Sequence, residues 1–318
     1  MSQEDNPRVL GISLVGDQLR IVEAARESEN DFQITRVAQG RCRGRFGYET
    51  LSDPNSTKRL AEDIMRLYES QAFGVQNVAF ALGTEMVSVK KVSLDSGLGE
   101  DYVKEHVTWE VEQFAISPTD EYIIDFENIS NDEQANDLLV VVVRKKIIKA
   151  LKQIFKHTDL KLKIVDVDVF SAQRALQVNY DYNEQDVVCL VNVEGDKIQL
   201  SLLKGMVFYL AKEILLQGEN VNIDDSDAIV SLISKEVKKI VIEHQLGEKV
   251  EDLSEIFLFG ESIDDPVVEG LQGNYDLQVD RANPFRKIKL LGDAKEYISN
   301  IHAECYLVCV GAALRGIQ

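Results

Sequence analysis

Apolar and polar positions alternate over residues 8–25, break at Gly16-Asp17, and resume, which predicts two strands joined by a tight turn. The same arrangement returns over residues 187–204, broken at Gly195-Asp196. A third strand follows each hairpin, over residues 32–43 in the first case and 206–213 in the second. Helical periodicity then takes over. Residues 56–71 place Leu60, Ile64, Leu67 and Tyr68 on one face, with Ser56 or Thr57 as the cap. Residues 226–245 place Ile229, Ile233, Val237, Ile240 and Val241 on one stripe. The two halves therefore share an opening order of three strands and a helix. That internal duplication predicts an α/β chain of two lobes flanking a cleft.

Between the halves, the pattern changes. After a strand over residues 77–82, residues 86–94 alternate Val87, Val89 and Val92 with Lys90 and Lys91. Residues 101–114 put Val103, Val107, Val111 and Phe114 on one helical stripe. Strands at 122–129 and 138–144, a helix at 145–157 and a strand at 163–169 complete a small α+β module, predicted as one sheet with helices on one face. Residues 165–177 run a strand into a helix that returns to the first lobe. Later come a buried strand at 256–260, a helix at 267–271, a short strand at 277–279 and a long apolar helix over 297–314. The expected boundaries are residues 1–84 for the first part of lobe one, 85–164 for the inserted module, 165–182 for the return, and 183–318 for lobe two.

Composition narrows the function. A chain of 318 residues, 45% hydrophobic, can bury the cores of two ordinary domains, and with only five Pro and no Ser/Gly-rich linker these are expected to pack together. The formal charge of −19 argues against nucleic acid and against direct contact with an anionic membrane, and it disfavours ATP unless a cation compensates. The four cysteines form no CxxC pair and the four His are scattered, so no metal site, no catalytic residue and a reduced, cytoplasmic setting are expected. Residues 1–8 lack the basic start and apolar core of a signal peptide. The longest apolar run, residues 306–314, falls well short of the roughly 20 residues that span a bilayer. With no amphipathic anchor at the C-terminal end, any membrane association is expected to be peripheral, through a protein partner.

Several segments then carry a resemblance. Residues 109–126 (Trp109-Glu110-Val111 through Ser117-Pro118 to Ile124-Asp125-Phe126), residues 140–146 and 163–175, Asn283-Pro284-Phe285 and the closing Gly311 to Gly316 follow in an order and spacing similar to the type IV pilus assembly protein PilM family. That family lies within the actin-like superfamily that includes FtsA. The resemblance covers nearly the whole chain and implies a two-lobed actin-like (ribonuclease H-like) fold with an inserted module in the first lobe. In such folds the two hairpins grip a nucleotide, with turn N–H groups on the phosphates and an Asp on each side serving Mg²⁺ and water. The matching positions here are Ser13, Gly16, Asp17, Asn192, Glu194, Gly195 and Gly260. Ser13 and Asn192 stand where the family has Asp, Val15 and Glu194 where it has Gly, and Glu261 follows Gly260 where a second Gly is usual. Asp17 and Glu194 would repel phosphate by Coulomb's law. The site reads as degenerate, or as one in which Asp17 and Glu194 hold Mg²⁺ from shifted positions.

What the resemblance implies for function is a cytoplasmic scaffold. It would bind the N-terminal cytoplasmic peptide of a PilN-like inner-membrane protein and couple a secretion-type hexameric ATPase to a periplasmic complex, with a homo-oligomer or ring as its possible assembly. Trp109, Phe114 and Arg144 are candidate partner contacts. Trp109 and Phe114 also fit as core residues, and Arg144-Lys145-Lys146 as a solvated helix start. The rival functions are a nucleotide-binding actin-like ATPase, the cytoplasmic domain of a GspL-like type II secretion protein, and an FtsA-like division protein. The second predicts a membrane segment after this region and the third a C-terminal amphipathic anchor.

Overall fold

Three strands open the chain: β1 (Arg8–Val15), β2 (Gln18–Arg26) and β3 (Phe32–Arg41). Leu10 and Ile12 in β1 and Leu19, Ile21 and Val22 in β2 are fully buried, so both faces of these strands are covered. Glu23, buried within β2, accepts a hydrogen bond from Thr35 Oγ1 at 2.8 Å and faces the Arg8 guanidinium at 3.7 Å, which satisfies its charge. This computed structural model describes residues 7–28, 31–48, 53–95, 97–129 and 135–317. The chain divides into two compact units, one of Met1–Gly11, Val22–Val37 and Val169–Gln318, the other of Ile12–Ile21 and Ala38–Asp168.

In the second of these units, α1 (Pro54–Ser70) is capped by Asp53, whose carboxylate accepts from Asn55 N at 2.9 Å. The cap lies three residues before the predicted Ser56, because Pro54 needs no N–H partner at the first helical position and its fixed φ suits the helix. Strand β4 (Asn77–Leu82) follows, then β5 (Val87–Asp95), α2 (Glu100–Phe114), β6 (Tyr122–Asn128), β7 (Ala135–Arg144), α3 (Lys145–Lys156) and β8 (Lys161–Val167). Strands β5, β7 and β6 form an antiparallel sheet in that order. Helix α2 covers one face of it, burying Val103, Val107 and Val111 against Val92, Leu138, Val140 and Val142. The expectation of two helices on one face fails for α3. Its apolar stripe (Ile147, Ala150, Leu151, Ile154, Phe155) packs beside α1, and Phe155 meets Phe80 of β4 edge to face at 6.0 Å.

The other unit is built from α4 (Asp168–Asn179), which begins one residue before its boundary, then β9 (Val187–Glu194), β10 (Lys197–Lys204), β11 (Val207–Leu215), the single-turn α5 (Leu216–Glu219), α6 (Ser226–Glu243), β12 (Glu255–Phe259), α7 (Asp265–Asn274), β13 (Gln278–Arg281), β14 (Lys289–Leu290), α8 (Asp293–Ile298) and α9 (Leu307–Gly316). Its five-stranded sheet runs β11-β10-β9-β12-β13, antiparallel through β9 and parallel beyond it. The α6 stripe Ile229, Ile233, Val237, Ile240 and Val241 seals one face together with Val267 and Leu271 of α7. A six-stranded sheet has the order β14-β3-β2-β1-β4-β8. The predicted helix over 297–314 is two helices. Asn300 N and Ile301 N reach back only three residues, to Tyr297 O and Ile298 O, so α8 tightens and stops. A 3₁₀ turn, Ala303–Tyr306, restarts the chain into the buried α9. Gly311 of α9 is obligatory, since a Cβ there would lie 1.6 Å from Ser171 O of α4.

Candidate functional site

Helix α3 has a second stripe opposite its buried one. Lys145, Lys149, Lys152 and Lys156 recur at i, i+4, i+7 and i+11, which lines them along one side of a helix. Together with Ile148 they wall a groove of about 430 Å³ whose facing side is Ile123 of β6. Ile123 is 41% exposed. Lys145 Nζ donates to Asp120 O at 2.6 Å and so ties the start of α3 to the turn before β6. Among the described residues Lys149, Lys152 and Lys156 have no ion-pair partner. Their stems cover apolar surface while the ammonium groups stay in water. The groove therefore has an apolar floor and a cationic rim in a chain of charge −19.

Register places Ile123 on one face of the sheet. Ile123 stands opposite Val143, and Val143 opposite Val87. The next row on that face is Asp125, Val141 and Val89. Since side chains alternate along strands, this is the face that α2 does not cover. Val89 and Val141 are half-buried there. Strand β6 is the edge of the sheet, and an edge strand offers backbone N–H and C=O groups to an added strand.

Of the residues singled out as partner contacts, none lines this groove. Trp109 is exposed on α2. Phe114 packs half-buried against the α2-side core, with Lys90 Nζ 4.8 Å from its ring centre. Arg144 lies 5.8 Å from the ring centres of both Tyr48 and Tyr122, immediately before Lys145. Of the residues that do line it, Ile123, Ile148, Lys149, Lys152 and Lys156, only the lysines carry a signal in the sequence, their helical spacing.

Each hairpin turn is described by itself. In the first, Gly16 has φ +58° and Cys42 N donates to Asp17 O at 2.8 Å. Burial, with the carboxylates of Asp63 and Asp17 near, pushes the Cys42 thiol up to about 12. Ser13 is buried and its Oγ has no hydrogen-bond partner among the described residues. In the second, Gly195 has φ +61° and Glu194 is half-buried. Asn192 is buried in β9, its Oδ1 likewise without a partner among the described residues. Gly260, at φ +109°, closes over it: a Cβ there would stand 2.4 Å from Asn192 Oδ1 and 2.4 Å from Val193 O. Mg²⁺ is held by oxygen ligands, usually carboxylates and phosphates. Neither hairpin offers a carboxylate at the buried strand position, and among the described residues no group of three or more His, Cys, Asp or Glu converges to hold a metal. Taken hairpin by hairpin, the carboxylates present are those of the turns, Asp17 in the first and Glu194 in the second, and not at the buried strand positions of Ser13 and Asn192.

Residues 11–224 match the family model described as type IV pilus assembly protein PilM. Among solved structures, the chain is similar to the PilM-PilN type IV pilus biogenesis complex, at 16% identity over 98% of this chain and 99% of that one, with a TM-score of 0.81. It is also similar to the cytoplasmic domain of EpsL, an inner-membrane component of the type II secretion system of Vibrio cholerae, at 12% identity over 97% and 95% of the two chains, TM-score 0.53. A Bacteroides thetaiotaomicron protein with an actin-like ATPase fold matches at 12% identity over 89% and 95%, TM-score 0.50. These structural likenesses establish the actin-like fold. No helix of the described residues is long and apolar enough to cross a membrane.

Proposed function

We propose, for a chain that belongs to the type IV pilus assembly protein PilM family, that it is a scaffold of the inner-membrane platform and captures the N-terminal cytoplasmic peptide of a PilN-like membrane protein. The observation that carries this reading is the groove between Ile123 and the lysine stripe of α3, beside the edge strand β6. An extended peptide laid along β6 would pair its backbone with the strand, seat apolar side chains on Ile123 and Ile148, and meet four ammonium groups with its carbonyls or acidic side chains. In the same reading, Arg144 guards the end of the groove, the inserted module of residues 85–164 is the part that receives the peptide, and the membrane is reached only through that partner. The chain then relays between a hexameric ATPase and the periplasmic complex.

Titration of the protein with a synthetic PilN-like N-terminal peptide tests this. Saturable binding that Ile123→Glu abolishes is the expected result. Binding unchanged in Ile123→Glu and in Lys149→Glu/Lys152→Glu overturns the groove assignment.

We further infer that ATP is not hydrolysed. Support comes from Ser13 and Asn192 in place of carboxylates, and from Glu194 at a turn position where phosphate would approach. Calorimetry with millimolar ATP, with and without Mg²⁺, should show no binding heat. Micromolar Mg²⁺-dependent binding would mean that Asp17 and Glu194 serve the metal and would restore the nucleotide-switched reading.

A further inference from the structure

Helix α2 has an apolar stripe and an aromatic row, and its fold uses the first. Val103, Val107 and Val111 face the sheet and are buried. On the opposite side Tyr102, His106 and Trp109 recur at i, i+4 and i+7, followed by Gln113 at i+11. The rings form a ladder, Tyr102 stacked on His106 at 6.2 Å and His106 tilted against Trp109 at 5.6 Å. Tyr102 is 53% exposed, Trp109 52%, and Ile116, two residues past the helix end, 89%. A spacing of four and three along a helix is the seam on which a second helix packs. Large exposed aromatic side chains in a contiguous row mark interaction surfaces.

Charge says what kind of partner. Glu105 and Glu112 stand seven residues apart along one border of the row, with Asp101 on the same side. Among the described residues neither Glu105 nor Glu112 has an ion-pair partner. The only cation of that border's helix, Lys104, is paired with Glu100 at 2.6 Å. We propose that this face of α2 docks a basic amphipathic helix of a partner protein, its apolar stripe across Tyr102, His106 and Trp109 and its Arg or Lys residues against Glu105 and Glu112. Arg side chains would in addition stack on the Trp109 ring. This face is separate from the groove of α3 and does not depend on the peptide reading.

Trp109 is the only tryptophan of the chain, so its emission reports this face alone. The full chain is titrated with a synthetic peptide bearing Leu at heptad seam positions and Arg at the flanking ones, and with a scrambled peptide of identical composition. The expected result is a saturable blue shift with the first peptide only. Glu105→Lys/Glu112→Lys should weaken it about tenfold, Tyr102→Ala should weaken it with far-UV circular dichroism unchanged, and Ile123→Glu should leave it intact. An equal response to the scrambled peptide, or none in Trp109 emission, overturns the proposal. So does loss of the response in Ile123→Glu, which would place the peptide in the lysine groove.

Discussion

The two faces of the β5-β7-β6 sheet come from one stretch of chain and end covered to different degrees. On one, Leu138, Val140 and Val142 of the central strand are at most 3% exposed beneath Val103, Val107 and Val111. On the other, Leu139 and Val143 are still buried, but Val141 between them and its neighbour Val89 are half-buried, and Ile123 is 41% exposed. Both faces are valine-rich, so hydrophobicity alone does not separate them. What differs is the cover. Helix α2 brings an apolar stripe to the first face, whereas α3 turns its own apolar stripe toward α1 and Phe80 and leaves lysines beside Ile123. Apolar surface buried within the chain stabilises the fold, and apolar surface left open beside cations is available to a partner.

The largest test of that contrast is a pair of truncations on opposite faces of β7. Leu138→Ala, on the covered face, should cost about 3 kcal/mol, since it leaves a cavity in a dry core. Val141→Ala, on the open face, should cost below about 1 kcal/mol, because water already reaches that side chain. Urea unfolding monitored by circular dichroism measures both. Equal losses would mean that the open face is as tightly covered as the other.

Binding should invert the order. Lys149→Glu/Lys152→Glu should change unfolding free energy by no more than about 0.5 kcal/mol, as exposed, unpaired charges do. The same double variant should weaken the PilN-like peptide by about tenfold or more, with the deficit shrinking as salt rises. Leu138→Ala should leave peptide affinity near its original value wherever the protein stays folded. A Lys149→Glu/Lys152→Glu protein that binds normally would move the peptide off this wall.

The covered face is legible in the sequence because periodicity alone defines it. Val103, Val107 and Val111 at helical spacing state which side of α2 is buried, whereas β5 puts Val87 and Val89 on the open face and Val92 on the covered one. The hairpins at Gly16 and Gly195 and the α6 stripe are equally local. The open face is not local. Whether Ile123 is a core residue or a groove floor depends on which way α3 turns, and that is decided by Phe80 and α1, far away in sequence. The lysine row of α3 is visible in the spacing, but its first members also suit an ordinary solvated helix start. The break between α8 and α9 escapes for a different reason: Tyr297 to Leu314 has helical composition throughout, and only the backbone bonds of Asn300 and Ile301 end the first helix. Likewise, Ser13 and Asn192 are readable as replacements, while their burial, and the closure of Gly260 over Asn192, are not.

The smallest expected effect lies at the far end of the open face, where a charged pair tests how wet it is. Lys91 Nζ stands 2.7 Å from Asp137 Oδ2, and Ser93 Oγ donates to Asp137 Oδ1 at 2.6 Å. The Lys91 hydrogen bond first, then that of Ser93, holds the Asp137 carboxyl below its ordinary value. A carboxylate whose folded value is depressed contributes stability that is fully present above the unfolded value of 3.8 and lost as pH falls through the lower, folded one. Asp137→Asn should therefore lower stability at pH 7 and progressively lose its difference from the parent as pH falls below 3.8. Both side chains retain solvent contact, so the loss at neutral pH should stay under about 1 kcal/mol and shrink with salt. A loss of several kcal/mol, insensitive to salt, would mean that water is excluded from this end of the sheet, and the open face would then have to be counted as core.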